Sequence, residues 1–206
     1  MRVKIKICGL KTADDAFKVN DFQIDYVGFV FAKSKRLVSK ETALEIKNNL
    51  RKDIKTVGVF ADMSISEVIE IADFVNLDVV QLHSDENDEF CGNFKNRILW
   101  KSISVNLEKP EVIAERFKNA DGFLLDTYTK DLRGGSGKTF KWKLARNFSE
   151  KYFTVLAGGL NEDNILKAYE TVRPNVLDLS SSVETDGVKD YNKIKSLMRR
   201  IKNEFK

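Results

Sequence analysis

Apolar and polar positions in this chain fall into short runs with two alternating periods. Val3, Ile5 and Ile7 lie on one face of an extended segment, and Lys4, Lys6 and Cys8 on the other. That is the two-residue period of a strand. From Ala13 to Asp21 the period lengthens, and Ala16, Phe17 and Val19 turn to one side of a short helix. Tyr26 to Phe31 is a near-continuous apolar run, as expected of a strand covered on both faces. Ser39 is placed to cap a helix reaching Leu50. The alternation then repeats. Ile54 to Phe60 reads as a strand, and Ser64 caps a helix through Phe74. Val79 to His83 reads as a strand and Glu86 to Phe94 as a helix. Ile98 to Val105 is a strand, and Pro110 opens a helix running to about Asn119. Proline suits a first helical turn, where its missing N–H has no partner to lose. Gly122 to Thr127 is a strand, followed by a glycine-rich loop and a helix over Lys141 to Phe148. Tyr152 to Ala157 is a strand, and Asn161 caps a helix through Val172. Val176 to Ser180 is the last strand, and a basic amphipathic helix from Tyr191 to Phe205 closes the chain.

Eight strand candidates, each followed by a helix-length segment, predict an α/β fold with a parallel sheet. Eight such units predict a single-domain (β/α)8 TIM barrel with a closed parallel eight-stranded sheet across residues 1–206. An open doubly wound sheet is the alternative, and eight units are many for it. No linker or low-complexity segment divides the chain.

Composition narrows the picture. The net charge of +4 is mild, and lysines are spread along the chain among acids, which argues against a nucleic-acid tract. No apolar stretch approaches the ~20 residues of a membrane helix. The chain begins with a charge-rich strand, not the apolar run of a signal peptide. Cys8 and Cys91 are its two cysteines and suggest no disulfide framework. A reducing, cytoplasmic location is expected. Neither a nucleic acid nor a membrane is an expected partner, and the chain is expected to be a monomer or homodimer.

Barrels of this kind carry their chemistry at the C-terminal ends of the strands. Those ends hold Cys8-Gly9, the loop from Phe31 to Arg36, Asp62, His83-Ser84, Asp126-Thr127, Gly158-Gly159 and Ser180-Ser181-Ser182. Taken alone, Cys8 also reads as a small buried hydrophobe, and Arg36 as a solvated loop cation. Their company at one end of the barrel favours a site. The loops after strands seven and eight commonly hold a phosphate in this fold. Gly158-Gly159 and Ser180-Ser181 offer the close backbone approach and the donors that an anion needs. Arg36 offers a planar fork for a carboxylate. The run Gly134 to Thr139 lacks the spacing of a nucleotide phosphate loop, because Leu132 stands where the first glycine belongs. It reads as a lid or wall over the site. His83 is the only histidine and has no partner at metal-ligand spacing, so no metal is proposed. If Cys8 points inward, so does Lys6. A buried ammonium needs a partner, and Asp178 on the adjoining last strand is favoured over Asp126.

Taken together, Lys6-Ile7-Cys8-Gly9-Leu10-Lys11, Val59-Phe60, Gln81-Leu82-His83, Leu125-Asp126-Thr127, Gly134 to Phe140, Leu156 to Leu160 and Asp178 to Ser181 resemble the successive motifs of the phosphoribosylanthranilate isomerase family. The resemblance spans nearly the whole chain. It implies an Amadori rearrangement of a small phosphorylated molecule in tryptophan biosynthesis, with Asp126 as general acid and Cys8 as general base. It implies Arg36 on the anthranilate carboxylate, Gly158, Gly159, Ser180 and Ser181 on the phosphate, and His83 among the substrate-binding residues. No cofactor is implied, because the imine formed on ring opening is itself the electron sink. Ser84, Lys141 and Ser182 depart from the family pattern, the first and last replacing glycine. Another phosphosugar isomerase or epimerase, and a non-catalytic anion-binding protein of the same fold, are the competing readings.

Overall fold

The computed structural model describes residues 2–104, 109–126, 142 and 145–204. The run Gly134 to Thr139, Lys141 and part of the helix expected over 141–148 lie outside the described residues. Eight strands close into a barrel in chain order, every neighbouring pair parallel. They are β1 (Lys4–Cys8), β2 (Tyr26–Val30), β3 (Lys55–Phe60), β4 (Val79–Leu82), β5 (Ile98–Ser104), β6 (Gly122–Asp126), β7 (Thr154–Ala157) and β8 (Val176–Leu179). The helices between them are α1 (Ala13–Asn20), α2 (Lys40–Asn48), α3 (Ile65–Val75), α4 (Asp88–Cys91), α5 (Pro110–Ala114), α6 (145–149), α7 (Ile165–Val172) and α8 (Tyr191–Glu204). A small antiparallel hairpin, β9 (Glu184–Thr185) and β10 (Val188–Lys189), stands between β8 and α8. The closed sheet, not the open one, is the observed architecture. No helix among the described residues is long and apolar enough to cross a membrane.

Helix starts follow local chemistry. The Thr12 and Ser64 hydroxyls accept from the amides of Asp15 and Glu67, whose carboxylates reach back to close capping boxes. Ser39 accepts from the Thr42 amide, as its position predicts. Asn161 does not cap α7. Its side chain accepts from the amides of Asp163 and Asn164 and holds a turn, which delays the helix to Ile165. This is the local competition that asparagine offers to a helix. Two other helices stop short of their periodicity. The segment after Pro110 is helical only to Ala114, and α4 tightens into a 3-10 turn over Gly92–Phe94.

Alternate strand residues divide between two apolar clusters. Ile5, Ile7, Val27, Phe29, Val80 and Leu82 pack into the layer shared with the helices. Tyr26, Val57, Val79, Trp100, Leu124, Val155 and Val176 form a second cluster that plugs the barrel interior. The Tyr26 and Trp100 rings meet edge-on inside it, 5.1 Å apart. Above the plug the interior becomes mixed, with Lys6 and Cys8 on β1, Gln81 on β4, Asp126 on β6 and Asp178 on β8 beside Val30 and Val59.

The opposite end of the barrel carries a repeated device. The residue just before each even-numbered strand turns its side chain onto the amide of the first or second residue of the preceding odd strand. Asp25 accepts from the Ile5 amide at 2.9 Å, and Asp78 from Thr56 at 2.8 Å. Asp121 accepts from Leu99 at 2.8 Å, and Asn175 from Thr154 at 2.8 Å. The backbone amide of each clamp residue donates in return to the carbonyl of the same partner. Four amides at or next to a strand start are thus satisfied by side chains.

Asp78 also accepts from the Thr56 hydroxyl at 2.8 Å. Asp78→Ala leaves a buried donor without a partner and should cost about 1–3 kcal/mol. Asp73→Ala, which removes an exposed ion pair with Arg97, should cost no more than about 1 kcal/mol. Urea denaturation midpoints of the two variants test this difference.

Candidate active site

The eight residues to which the family resemblance gives roles line one cavity of about 620 Å³ at the C-terminal rim: Cys8, Arg36, His83, Asp126, Gly158, Gly159, Ser180 and Ser181. They come from β1 and β6 and from the loops after β2, β4, β7 and β8. Closure of the barrel, not proximity in the chain, brings them together.

The floor is an ion pair. Lys6, fully buried, places its ammonium 2.7 Å from Asp178 Oδ2 and donates to Gln81 Oε1 at 3.1 Å. Lys6 and Asp178 face each other in the β1–β8 register, which is why the favoured partner is the observed one. Burial disfavours the Lys6 charge, but Asp178 and then Cys8 together outweigh it and hold the ammonium pKa above its ordinary value.

Cys8 is the next inward residue on β1. It pairs in register with Gly28 on β2, and a Cβ at Gly28 would fall 2.7 Å from the Cys8 sulfur. Glycine there makes the room in which the thiol sits. Burial pushes the Cys8 thiol above its ordinary pKa, while Lys6 and then Lys189 pull it back. The net direction is upward, so the neutral thiol is the resting form at neutral pH. His83 is held the other way: burial lowers its pKa and favours the uncharged imidazole. Its Nδ1 lies 3.5 Å from Gln81 Nε2.

The remaining rim is shaped by backbone. Gly158 and Gly159 have φ of +93° and +68°, a consecutive left-handed pair that side-chain-bearing residues rarely adopt. Ser180 donates to the Cys8 carbonyl at 3.2 Å, joining the loop after β8 to the end of β1. The backbone takes both serine departures from the family pattern, though the Ser182 hydroxyl is buried without a hydrogen-bond partner among the described residues. Ser182 sits in a 3-10 turn over Ser181–Val183 and does not need positive φ. The Ser84 hydroxyl donates to Asp62 at the end of β3.

Arg36 is not a free cation. Its Nε and Nη2 donate to the two carboxylate oxygens of Glu184 at 2.8 and 2.7 Å. Glu184 also receives Lys189 at 2.6 Å. Burial alone would raise the Glu184 pKa; the Arg36 fork and the Lys189 ammonium overcome it and hold the carboxyl at about 2. Gly28, Gln81, Glu184 and Lys189 are the parts of the site that sequence reasoning leaves unassigned. Gly28 did carry a signal, since a glycine inside an apolar strand marks a close approach. Glu184 and Lys189 lie on strands of two residues each, too short to show any period.

The upward shift at Cys8 has a direct readout. In a Cys91→Ala background, alkylation of Cys8 by iodoacetamide should accelerate with pH through a midpoint above the ordinary thiol value of 9.0. A midpoint below that value would mean that Lys6 and Lys189 outweigh burial.

Comparison with known proteins places this geometry. The sequence model of N-(5'phosphoribosyl)anthranilate (PRA) isomerase matches residues 5–200. The N-(5'-phosphoribosyl)anthranilate isomerase of Thermoanaerobacter sp. (strain X514) is 44% identical over 200 residues, covering 97% of this chain and 98% of that one. Phosphoribosyl anthranilate isomerase from Thermotoga maritima superposes with a TM-score of 0.87 at 37% identity, covering 98% of this chain and 99% of that one. A phosphoribosyl anthranilate isomerase solved in complex with reduced 1-(o-carboxyphenylamino)-1-deoxyribulose 5-phosphate superposes with a TM-score of 0.85 at 33% identity, over 98% and 99% of the two chains. The chain belongs to the N-(5'-phosphoribosyl)anthranilate isomerase family.

Proposed function

We propose that this protein, as one domain over residues 1–206, converts N-(5'-phosphoribosyl)anthranilate to 1-(2-carboxyphenylamino)-1-deoxyribulose 5-phosphate by acid–base catalysis. This is the isomerisation step of tryptophan biosynthesis. The observation that carries the reading is the meeting of Cys8 and Asp126 in a cavity that also holds Arg36 and the loops after β7 and β8. β1 and β6 are separated by β7 and β8 around the ring. An acid and a base on those strands approach one ligand from different sides.

The roles follow from the chemistry. The Asp126 carboxylic acid protonates the ribose ring oxygen, the C1–O bond breaks, and the anthranilate nitrogen lone pair forms the iminium of the Schiff base. Cys8, once its resting thiol has given up its proton to solvent, removes the proton from C2 as the thiolate, and those electrons flow into the imine to give an enolamine. Proton return to C1 and loss of the O2 proton yield the ketone. No external electron acceptor enters, because C1 is reduced as C2 is oxidised. Arg36 receives the anthranilate carboxylate, and the Gly158-Gly159 and Ser180-Ser181 loops receive the phosphate. His83, kept uncharged by burial, contributes a neutral hydrogen-bonding group to the wall. The reading includes a cytoplasmic location, supported by the unpaired Cys8 and Cys91, and action as a monomer or homodimer.

Freshly prepared phosphoribosylanthranilate, whose fluorescence decays as it isomerises, tests the activity with purified protein and no added metal. An unaccelerated decay would overturn the reading. Asp126→Asn and Cys8→Ser should each lower kcat by about 10²–10⁴-fold while a reduced product analogue still binds. Gly28→Ala, which crowds the Cys8 sulfur without touching substrate, should lower kcat by up to about 10²-fold with KM little changed. Wild-type kcat in Cys8→Ser would make Cys8 a packing residue.

A further inference from the structure

Past Ser180 the chain does not run straight into α8. It makes the turn Ser181–Val183 and the β9–β10 hairpin, which returns Lys189 to the rim. Lys189 is 2% exposed. Its ammonium donates to the Cys8 carbonyl at 2.6 Å, to the Ser180 carbonyl at 3.3 Å and to Glu184 Oε1 at 2.6 Å. That uses all three of its donors. Glu184 faces Lys189 across the hairpin and takes the Nε–Nη2 edge of Arg36 with both oxygens. The arginine is also fixed at its stem, which lies over Gly9. A Cβ there would fall 2.3 Å from Arg36 Cδ. Among the described residues, none accepts a hydrogen bond from Arg36 Nη1.

We propose that Glu184, anchored by Lys189, is a positioning residue that orients the Arg36 guanidinium and presents its remaining N–H edge to the carboxylate of the ligand. The inference rests on the reading of Arg36 as the carboxylate-binding residue. An arginine held in place before the ligand arrives gives up less rotamer freedom on binding. Charge alone predicts the reverse effect, because a carboxylate beside the site repels the carboxylate of the ligand. Positioning and repulsion therefore differ in sign when Glu184 is neutralised.

Titration calorimetry with two ligands separates them. One is reduced 1-(2-carboxyphenylamino)-1-deoxyribulose 5-phosphate; the other is its phenylamino counterpart, which lacks the carboxylate. Glu184→Gln should weaken the carboxylated ligand about tenfold and leave the other unchanged. Glu184→Asp keeps the charge opposite Lys189 but falls a methylene short of the fork, and should show the same selective loss. It decides the matter alone if Glu184→Gln does not fold. Unchanged or tighter binding of the carboxylated ligand overturns the inference, and so does an equal loss for both ligands, which is the mark of a merely structural role. Arg36→Met tells this failure from that of the underlying reading. If Arg36→Met selectively weakens the carboxylated ligand while the Glu184 variants do not, Arg36 reads the carboxylate unaided. If Arg36→Met does not discriminate between the ligands, the carboxylate reading fails and the inference falls with it.

Discussion

A lysine ammonium buried in the barrel interior is the constraint around which the rest is arranged. Lys6 is fully buried, and an uncompensated charge at such a place costs about 3–5 kcal/mol when its partner is removed. Closure of β8 against β1 supplies that partner in Asp178, directly opposite in the register. The pair divides the interior. Below it lies the apolar plug around Trp100; above it lies the cavity. Two residues further along the chain stand Cys8, at the end of β1, and Ser180, just past β8, so the pair also sets the height of the candidate site. The ammonium acts on the chemistry as well, pulling down the pKa of a thiol that burial pushes up.

Polar side chains at the two ends of the barrel do different work. At the N-terminal end, Asp25, Asp78, Asp121 and Asn175 each satisfy one amide at or next to a strand start. They tie the strands together in consecutive pairs. At the C-terminal end the polar groups face the cavity. With the strand starts held from below, the rim is left to loops shaped for a ligand, such as the left-handed pair Gly158-Gly159.

At that rim the charges are coupled. Glu184 lies between Arg36 and Lys189, and Lys189 reaches the carbonyls of Cys8 and Ser180. The proposed base, phosphate loop and carboxylate reader thus belong to one hydrogen-bonded unit. Such a unit fixes each member more firmly than a surface ion pair can, because its groups are largely withdrawn from water.

Much of this was legible in the chain itself. Alternation at Val3 to Cys8, the apolar run at Tyr26 to Phe31 and the caps at Ser39 and Ser64 depend on local geometry, and local geometry is written in neighbouring residues. Strict strand–helix alternation, counted eight times, implied closure, and closure made Asp178 the partner of Lys6. That the candidate residues would share one end of the barrel was legible, because they stand at strand ends and closure gathers those ends around one cavity. Helix ends were less legible, since Asn161 could cap a helix or hold a turn and its choice depends on the backbone around it. Glu184 and Lys189 could not be read at all. Their partners, Arg36 and the Cys8 carbonyl, lie about 150 and 180 residues away in the chain. Sequence determined which elements form and at which end of them the candidate groups gather; the tertiary structure alone decided which charges meet, because a pairing across a closed barrel leaves no periodic trace in either segment.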